Sequence, residues 1–417
     1  MVNTELIKNN FYSHNFINED DVKLQSYANI FKPILDEVNP SSSKEFRSEH
    51  TYLHGGRSDA LYRNISIEYK GFQYFQKQKY IDEALYGRDK SDSGLYQYIL
   101  NSSNLNLNDS NEDMCNKIEK NVGIGFDGET FIFCRFVKSV KKHKVDFSKS
   151  KLDITNSLNL KLKFEYTKAT FKDGLNQLIL LLKQQHKIAL NKENLQTYIN
   201  PKVPEVREDI KKIYYLLLED LGKSEKKVPI NTRVETLFNE WESVFGVLYG
   251  AEEDITDFNR VIPSVKKMYM IDKNENIDIR VYLFAMQTYF NILLKLLVNS
   301  FIKLLINPSF TEANFYDYTE IIDLFEGRNE DQQQYVNNFF EIHYYEWFTY
   351  STRFDMKIIN SILEIINKFD FSSFILKPEA MQDIFQEVYM GLIPKSLRKI
   401  MGEYFSPDWI VEFSLNK

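Results

Sequence analysis

The sequence is short of cysteine and has no excess of positive charge. Its 417 residues include two cysteines, Cys115 and Cys134. Neither has a spacing partner that would suit zinc, and a reducing cytoplasm is the expected compartment. The net charge of -7 supplies no global field for nucleic acid, so a nucleic-acid site must be a local patch. The opening MVNTELIKNN lacks the charged-then-apolar order of a secretory signal. No period of about 20 to 50 residues repeats, which excludes a solenoid. What is present in quantity is apolar side chain, 43% of the sequence, enough for two or three domains with cores of their own.

Residues 281–306 come nearest to a membrane span. Gln287, Asn291, Lys295, Asn299 and Lys303 recur through them at helical spacing, a polar stripe that predicts a buried core helix and no membrane partner.

The stretch with the most chemistry is GGRSDALYRNISIEYK, residues 55–70. Alternation in Ile65-Ser66-Ile67-Glu68-Tyr69-Lys70 predicts a strand burying Ile65, Ile67 and Tyr69 on one face, with Ser66, Glu68 and Lys70 on the other. Asp59 precedes the Arg63-Asn64 turn on the partner strand of a hairpin, which can set its carboxylate beside that of Glu68. Two carboxylates and a lysine suit a hard divalent cation such as Mg²⁺, which is held by one or two carboxylates plus substrate phosphate. The lysine can then orient or deprotonate an attacking water. The plainer reading is a solvated Glu68–Lys70 ion pair on an exposed strand face.

GRSDALYRNISIEYK resembles the PD-(D/E)xK nuclease motif, in the form found at the N-terminus of type IIG restriction-modification enzymes, with Ser58 where proline usually precedes the aspartate. The resemblance implies that Asp59 and Glu68 bind the metal and that Lys70 is the catalytic lysine. It also implies a further acidic residue from the helix before the motif, for which Glu49 is the first candidate and Glu45 the second. Gln97 matches the polar residue this family often places on the helix after its lysine; the alternative is an ordinary surface residue.

Around the motif, residues 1–20 read as polar and loosely held, and 21–38 as a helix ended by Asn39-Pro40. Residues 77–100 read as helices around a loop at 87–94, and 105–113 as a loop. Residues 121–137 form a hairpin about Asp127-Gly128 that completes the sheet. The basic run that follows, with Lys138, Lys141, Lys142, His143, Lys144, Lys149 and Lys151, either grips phosphate backbone or is a solvated linker. From about residue 170 the pattern turns helical: 174–189, 209–221, 233–249, 268–306, 316–325, 332–350 and 356–369.

The C-terminal Gly402-Glu403-Tyr404-Phe405-Ser406-Pro407-Asp408-Trp409 resembles the lead-in to the catalytic domain of N6-adenine DNA methyltransferases. No glycine follows Gly402, so the glycine turn that would hold S-adenosylmethionine is missing. That cofactor is expected only with a downstream methyltransferase domain or partner. Asn307-Pro308-Ser309-Phe310 lacks the second proline of the methyltransferase catalytic motif and reads as a helix stop.

The fold expected is α+β and multi-domain: an α/β PD-(D/E)xK nuclease-like domain over residues 1–160, a mainly α-helical connector over 161–392, and an incomplete methyltransferase lead-in over 393–417. The function expected is Mg²⁺-dependent hydrolysis of double-stranded DNA in restriction-modification or phage defence. Asp59, Glu68, Lys70, Glu49 and Gln97 would form the catalytic set, and Lys141, Lys142 and Lys144 would bind DNA. The partner expected is a methyltransferase or target-recognition domain or subunit. The rival is a non-catalytic DNA-binding scaffold coupling recognition to an adenine-specific DNA methyltransferase.

Overall fold

A computed structural model of the chain describes residues 2–38, 45–52, 57–89, 92–106, 108–149, 157–184, 187–226, 228–249, 255–307, 310, 312–314, 318–328, 343–371 and 384–400. Residues 402–409, Lys151 and Pro308 lie outside that set. The chain divides into two compact units. The first comprises Met1–Asn194, Lys303–Ala313 and Asn367–Gln382, and the second Leu195–Ile302, Asn314–Ile366 and Asp383–Lys417.

The first unit is mixed α/β. Its sheet has six strands in sequence order: β1 (Arg47–Thr51), β2 (Arg57–Tyr62), β3 (Ile65–Tyr69), β4 (Val122–Phe126), β5 (Thr130–Asp146) and β6 (Ser157–Thr170). All neighbours are antiparallel except β3 and β4. That one parallel pairing needs a crossover, supplied by α4 (Gln78–Tyr86), α5 (Leu95–Ser102) and α6 (Asn111–Ile118).

Helices cover both faces. On one, Tyr62, Ile65, Ile67, Tyr69, Phe126 and Phe131 pack with α1 (Thr4–Tyr12), the α2 (Glu19–Ser26) to α3 (Lys32–Val38) helix and α7 (Phe171–Lys183). On the other, Ile132, Cys134, Phe136, Leu160 and Leu162 pack with α4, α5 and α6. Both cysteines are buried and free. The approach of α7 is close enough that a Cβ on Gly174 would stand 2.4 Å from the Phe131 ring, so only glycine fits there.

Several local expectations need correction. Residues 4–12 are helical, not loose: Asn3 caps α1, and Phe11 is wholly buried among Phe16, Phe126 and Phe171. The helix predicted from residue 21 starts at Glu19, where Asn18 and Asp21 form a capping box, and it carries a π-turn at Tyr27–Phe31. Residues 111–113, read as loop, open α6 under a second capping box, Ser110 with Asp113. Ile188–Ala189, read as the end of a helix, instead pairs in parallel with Phe369–Asp370.

The basic run is not a linker, since residues 138–144 belong to β5. There the register with β6 jumps between Lys138–Leu162 and His143–Leu160, leaving Ser139, Val140, Lys141 and Lys142 opposite Lys161 alone. This is an extended bulge.

The second unit is built of helices joined by turns, with no strand among its described residues. Its long helix, Ile279–Ile306, is apolar and long enough to cross a bilayer by composition. Its polar stripe, however, meets protein: Trp241 Nε1 and the Tyr345 hydroxyl both donate to Gln287 at 2.9 Å, Asn291 donates to Glu346 at 2.9 Å, and Lys295 pairs with Glu346. Lys295 and Glu346 are buried together, which is the pairing a buried charge requires.

Candidate active site

The β2–β3 hairpin forms as expected, and its backbone ladder runs from Tyr62–Ile65 to Ala60–Ile67. The next pair in that register would be Asp59 and Glu68. At that point the strands part, and Asp59 Oδ2 accepts the Tyr69 N–H at 2.7 Å in place of a ladder bond. One step on, Lys70 N–H bonds the Phe126 carbonyl at 3.0 Å, tying the end of β3 to β4. The hairpin turn after β4 fixes the other side. Asp127 accepts from the Phe75, Glu129 and Thr130 amides, and Gly128 takes φ +87°, a conformation that favours glycine.

The face carrying Ser66, Glu68 and Lys70 is not solvated. Tyr52 bridges Ser58 and Ser66 with its hydroxyl at 3.1 and 2.7 Å and stacks on Tyr98 of α5. Under this roof the Lys70 ammonium donates to Glu68 Oε1 at 2.8 Å, with side-chain exposures of 5% and 13%. An ion pair this enclosed is not the surface pair of the plainer reading.

Burial pushes the Glu68 carboxyl up to about 8, against the pull of Lys70 and with a further push from Asp59. Burial pulls the Lys70 amine down, but the Glu68 charge and hydrogen bond outweigh it and hold the ammonium protonated. Below about pH 8 Glu68 therefore holds a proton despite its contact with Lys70, and the hairpin register sets it opposite Asp59.

Two further side chains reach the site from α2, and sequence reading missed both. Glu19 opens the helix and is half-buried. Its carboxyl is raised by burial and by Asp59 and lowered by Lys70, so it belongs to the same charge cluster. Lys23, one turn on, places its ammonium 3.7 Å from Asp59 and 3.3 Å from Glu49. The signal for both was the capping box, which starts the helix at Glu19 and puts residues four apart on one face.

Glu49 lies on β1, not on a helix. Its neighbours pair regularly, Ser48 with Ala60 and His50 with Ser58, while Glu49 itself, facing Asp59, takes φ 57°. It is held by Lys23 and Arg57, which lower its carboxyl. Glu45 is held instead by the Arg63 guanidinium at 2.9 Å. A cleft of about 420 Å³ lies over this corner, lined by Lys23, Tyr27, Phe46, Glu49, Asp59 and Tyr69 among others.

Gln97 is buried in α5, not on the surface, and bonds Asn101 at 3.4 Å. The lysines expected to bind DNA do not join the cluster. Tyr69, Phe126 and Phe131 form one row across the sheet. Lys141 and Lys142 lie along β5 in the other direction, roughly 20–30 Å from that row at ~3.3 Å per residue. Lys141, Lys142 and Lys144 are exposed, whereas Lys149 is spent on the carbonyls of Tyr86, Asp89 and Asp92 at 2.7–2.8 Å.

Among the described residues no three His, Cys, Asp or Glu side chains are arranged to enclose a metal ion. A hard divalent cation that keeps several waters needs only one or two carboxylates, and Asp59 and Glu68 supply two. The oxygen donor set fits such an ion, with Glu68 giving up its proton to take it.

Comparisons of this chain with protein-family models, with curated proteins and with solved structures return no match.

Proposed function

We propose that the first unit is a Mg²⁺-dependent endonuclease of the PD-(D/E)xK kind, hydrolysing phosphodiester bonds of duplex DNA in restriction-modification or phage defence. One observation carries the reading: the enclosed Glu68–Lys70 pair ends β3 beside Asp59, at the point where the hairpin opens. A merely solvated pair would have no need of the tyrosine roof.

In this reading Asp59 and Glu68 hold the cation, with Glu19 as the acidic residue that the resemblance expects from the preceding helix. The cation, when bound, would offset charge building on the scissile phosphate and acidify its water. Lys70 supplies the proton chemistry. Burial favours the neutral Lys70 amine and Glu68 opposes it; once Glu68 is committed to a cation, the ammonium can release its proton to solvent and the free amine can then take one from the attacking water. Gln97, on the same helix as Tyr98, is a positioning residue and not a ligand. Target recognition, and any use of S-adenosylmethionine, would come from a methyltransferase partner or domain.

The test is cleavage of plasmid duplex with Mg²⁺ by Asp59→Ala, Glu68→Ala and Lys70→Ala, with the methyltransferase and target-recognition partner present. Each should lose cleavage, and Glu68→Gln and Lys70→Met, which do not orphan a buried charge in the way alanine does, should lose it while keeping the melting transition. Wild-type cleavage by all three variants would sink the assignment.

A further inference from the structure

We propose that Lys23 is a tethered cation that fills the metal-free site and passes to the substrate when a divalent ion binds. The inference rests on the metal-site reading above and adds a positioning residue to it.

The geometry is specific. Lys23 reaches down from α2 with its side chain 20% exposed, and its ammonium stands between two carboxylates, Glu49 at 3.3 Å and Asp59 at 3.7 Å. Asp59 has already committed its other oxygen to the Tyr69 amide. The oxygen facing Lys23 is thus the one left for a cation, and Lys23 occupies its approach. Lys70 does the same for Glu68 at 2.8 Å. Without metal, then, Asp59 and Glu68 are each answered by a lysine of their own.

An ammonium and a divalent ion cannot share one carboxylate oxygen, because like charges within about 4 Å repel strongly in a partly desolvated cleft. Lys23 must leave Asp59, and Glu49 is the partner that remains. This gives Glu49 a role other than metal ligand. It is the counter-charge that keeps Lys23 at the rim of the cleft, and Arg57 fixes it in turn. The left-handed backbone at Glu49, directly across from Asp59, holds its side chain in that position at a conformational cost that a plain strand residue would not bear. A displaced ammonium held there still lines the same cleft as Asp59 and Glu49, where it can pair with a non-bridging oxygen of a phosphodiester seated in it.

The experiment is calorimetric titration of Mg²⁺ into the full chain, wild type against Lys23→Met, Lys23→Arg and Glu49→Gln, followed by steady-state cleavage kinetics. Lys23→Met should bind Mg²⁺ about three- to tenfold more tightly, since a competing charge is gone, yet lose roughly tenfold or more in kcat/KM. Lys23→Arg should sit near wild type in both. Glu49→Gln should bind Mg²⁺ more weakly by about two- to threefold, because Lys23 then has only Asp59 to pair with. Unchanged or weaker Mg²⁺ binding by Lys23→Met overturns the proposal while leaving the metal site standing. Absence of Mg²⁺ binding by every protein, wild type included, overturns the metal-site reading and this proposal with it.

Discussion

Glu68→Gln should remove a loss of stability that the metal-free protein suffers as pH rises. The folded carboxyl titrates at about 8, against an ordinary value of 4.5. A group raised in the folded state contributes most below its unfolded value, and that contribution is lost as pH climbs through the folded value. Between about pH 6 and about pH 8.5 the linkage relation gives a fall on the order of 2–3 kcal/mol from this one side chain. Glutamine keeps an oxygen for the Lys70 ammonium but does not titrate, so the variant should lack that slope. The conversion applies because Glu68 is only 13% exposed and solvent screening is slight. Tryptophan fluorescence is the wrong probe, since Trp241 and Trp347 both lie in the second unit. Urea unfolding read by peptide-resolved hydrogen exchange of β3 and β4 reports the first. Parallel stability curves for wild type and Glu68→Gln across this range would refute the claim that burial governs Glu68.

A cation that takes Glu68 must displace its proton, so Mg²⁺ affinity should rise about tenfold per pH unit below about pH 8 and level off above it; calorimetry in buffers of different ionisation enthalpy should find close to one proton released per ion near pH 7, and none released would contradict the site. Phe11→Ala should cost the first unit about 3–5 kcal/mol, because the ring is wholly buried against Phe126 and Phe171; a change under about 1 kcal/mol in denaturant unfolding would return residues 1–20 to a loose tail. Replacing Lys141, Lys142 and Lys144 together with glutamine should weaken duplex binding evenly across sequences and flatten its salt dependence by up to about one log-log unit per lost contact, with the cleavage rate of bound DNA unchanged; an unaltered salt slope removes these lysines from the interface.

What the sequence disclosed was pattern of short range. The alternation from Ile65 to Lys70 and the Asp127-Gly128 turn each specify a strand or hairpin within a few residues, and both hairpins stand where that pattern puts them. What it hid depended on distant partners. Ser66, Glu68 and Lys70 read as a wet face because nothing nearby covers them, and the cover comes from Tyr52 and Tyr98. In α1 only Ile7 and Phe11 are buried, two residues one turn apart in a polar stretch, too thin a stripe to announce a helix. That the lysines of 138–144 lie on a strand was hidden because charge outweighed alternation there. The deciding signal lay in the partner strand, where Leu158, Leu160 and Leu162 alternate with Asn159, Lys161 and Lys163 and give β5 a strand to pair with.

The charge balance of the corner decides which variants can separate chemistry from folding. Glu19, Asp59 and Glu68 crowd one end of the sheet, and the metal-free fold tolerates them because Lys70 answers Glu68 and Lys23 answers Asp59. Deleting a carboxylate therefore does two things at once. Glu68→Ala removes a ligand but also leaves the Lys70 ammonium buried and alone, and an orphaned buried charge costs about 3–5 kcal/mol. A dead Glu68→Ala protein could thus be an unfolded one. Glu68→Gln keeps an acceptor for Lys70 and removes only the ionisable carboxyl, while Lys70→Met removes the ammonium and keeps most of the buried volume. If both remain folded and neither cleaves, the loss belongs to the chemistry; if only the alanine variants fail, the pair serves the fold, and the nuclease reading loses its carrying observation.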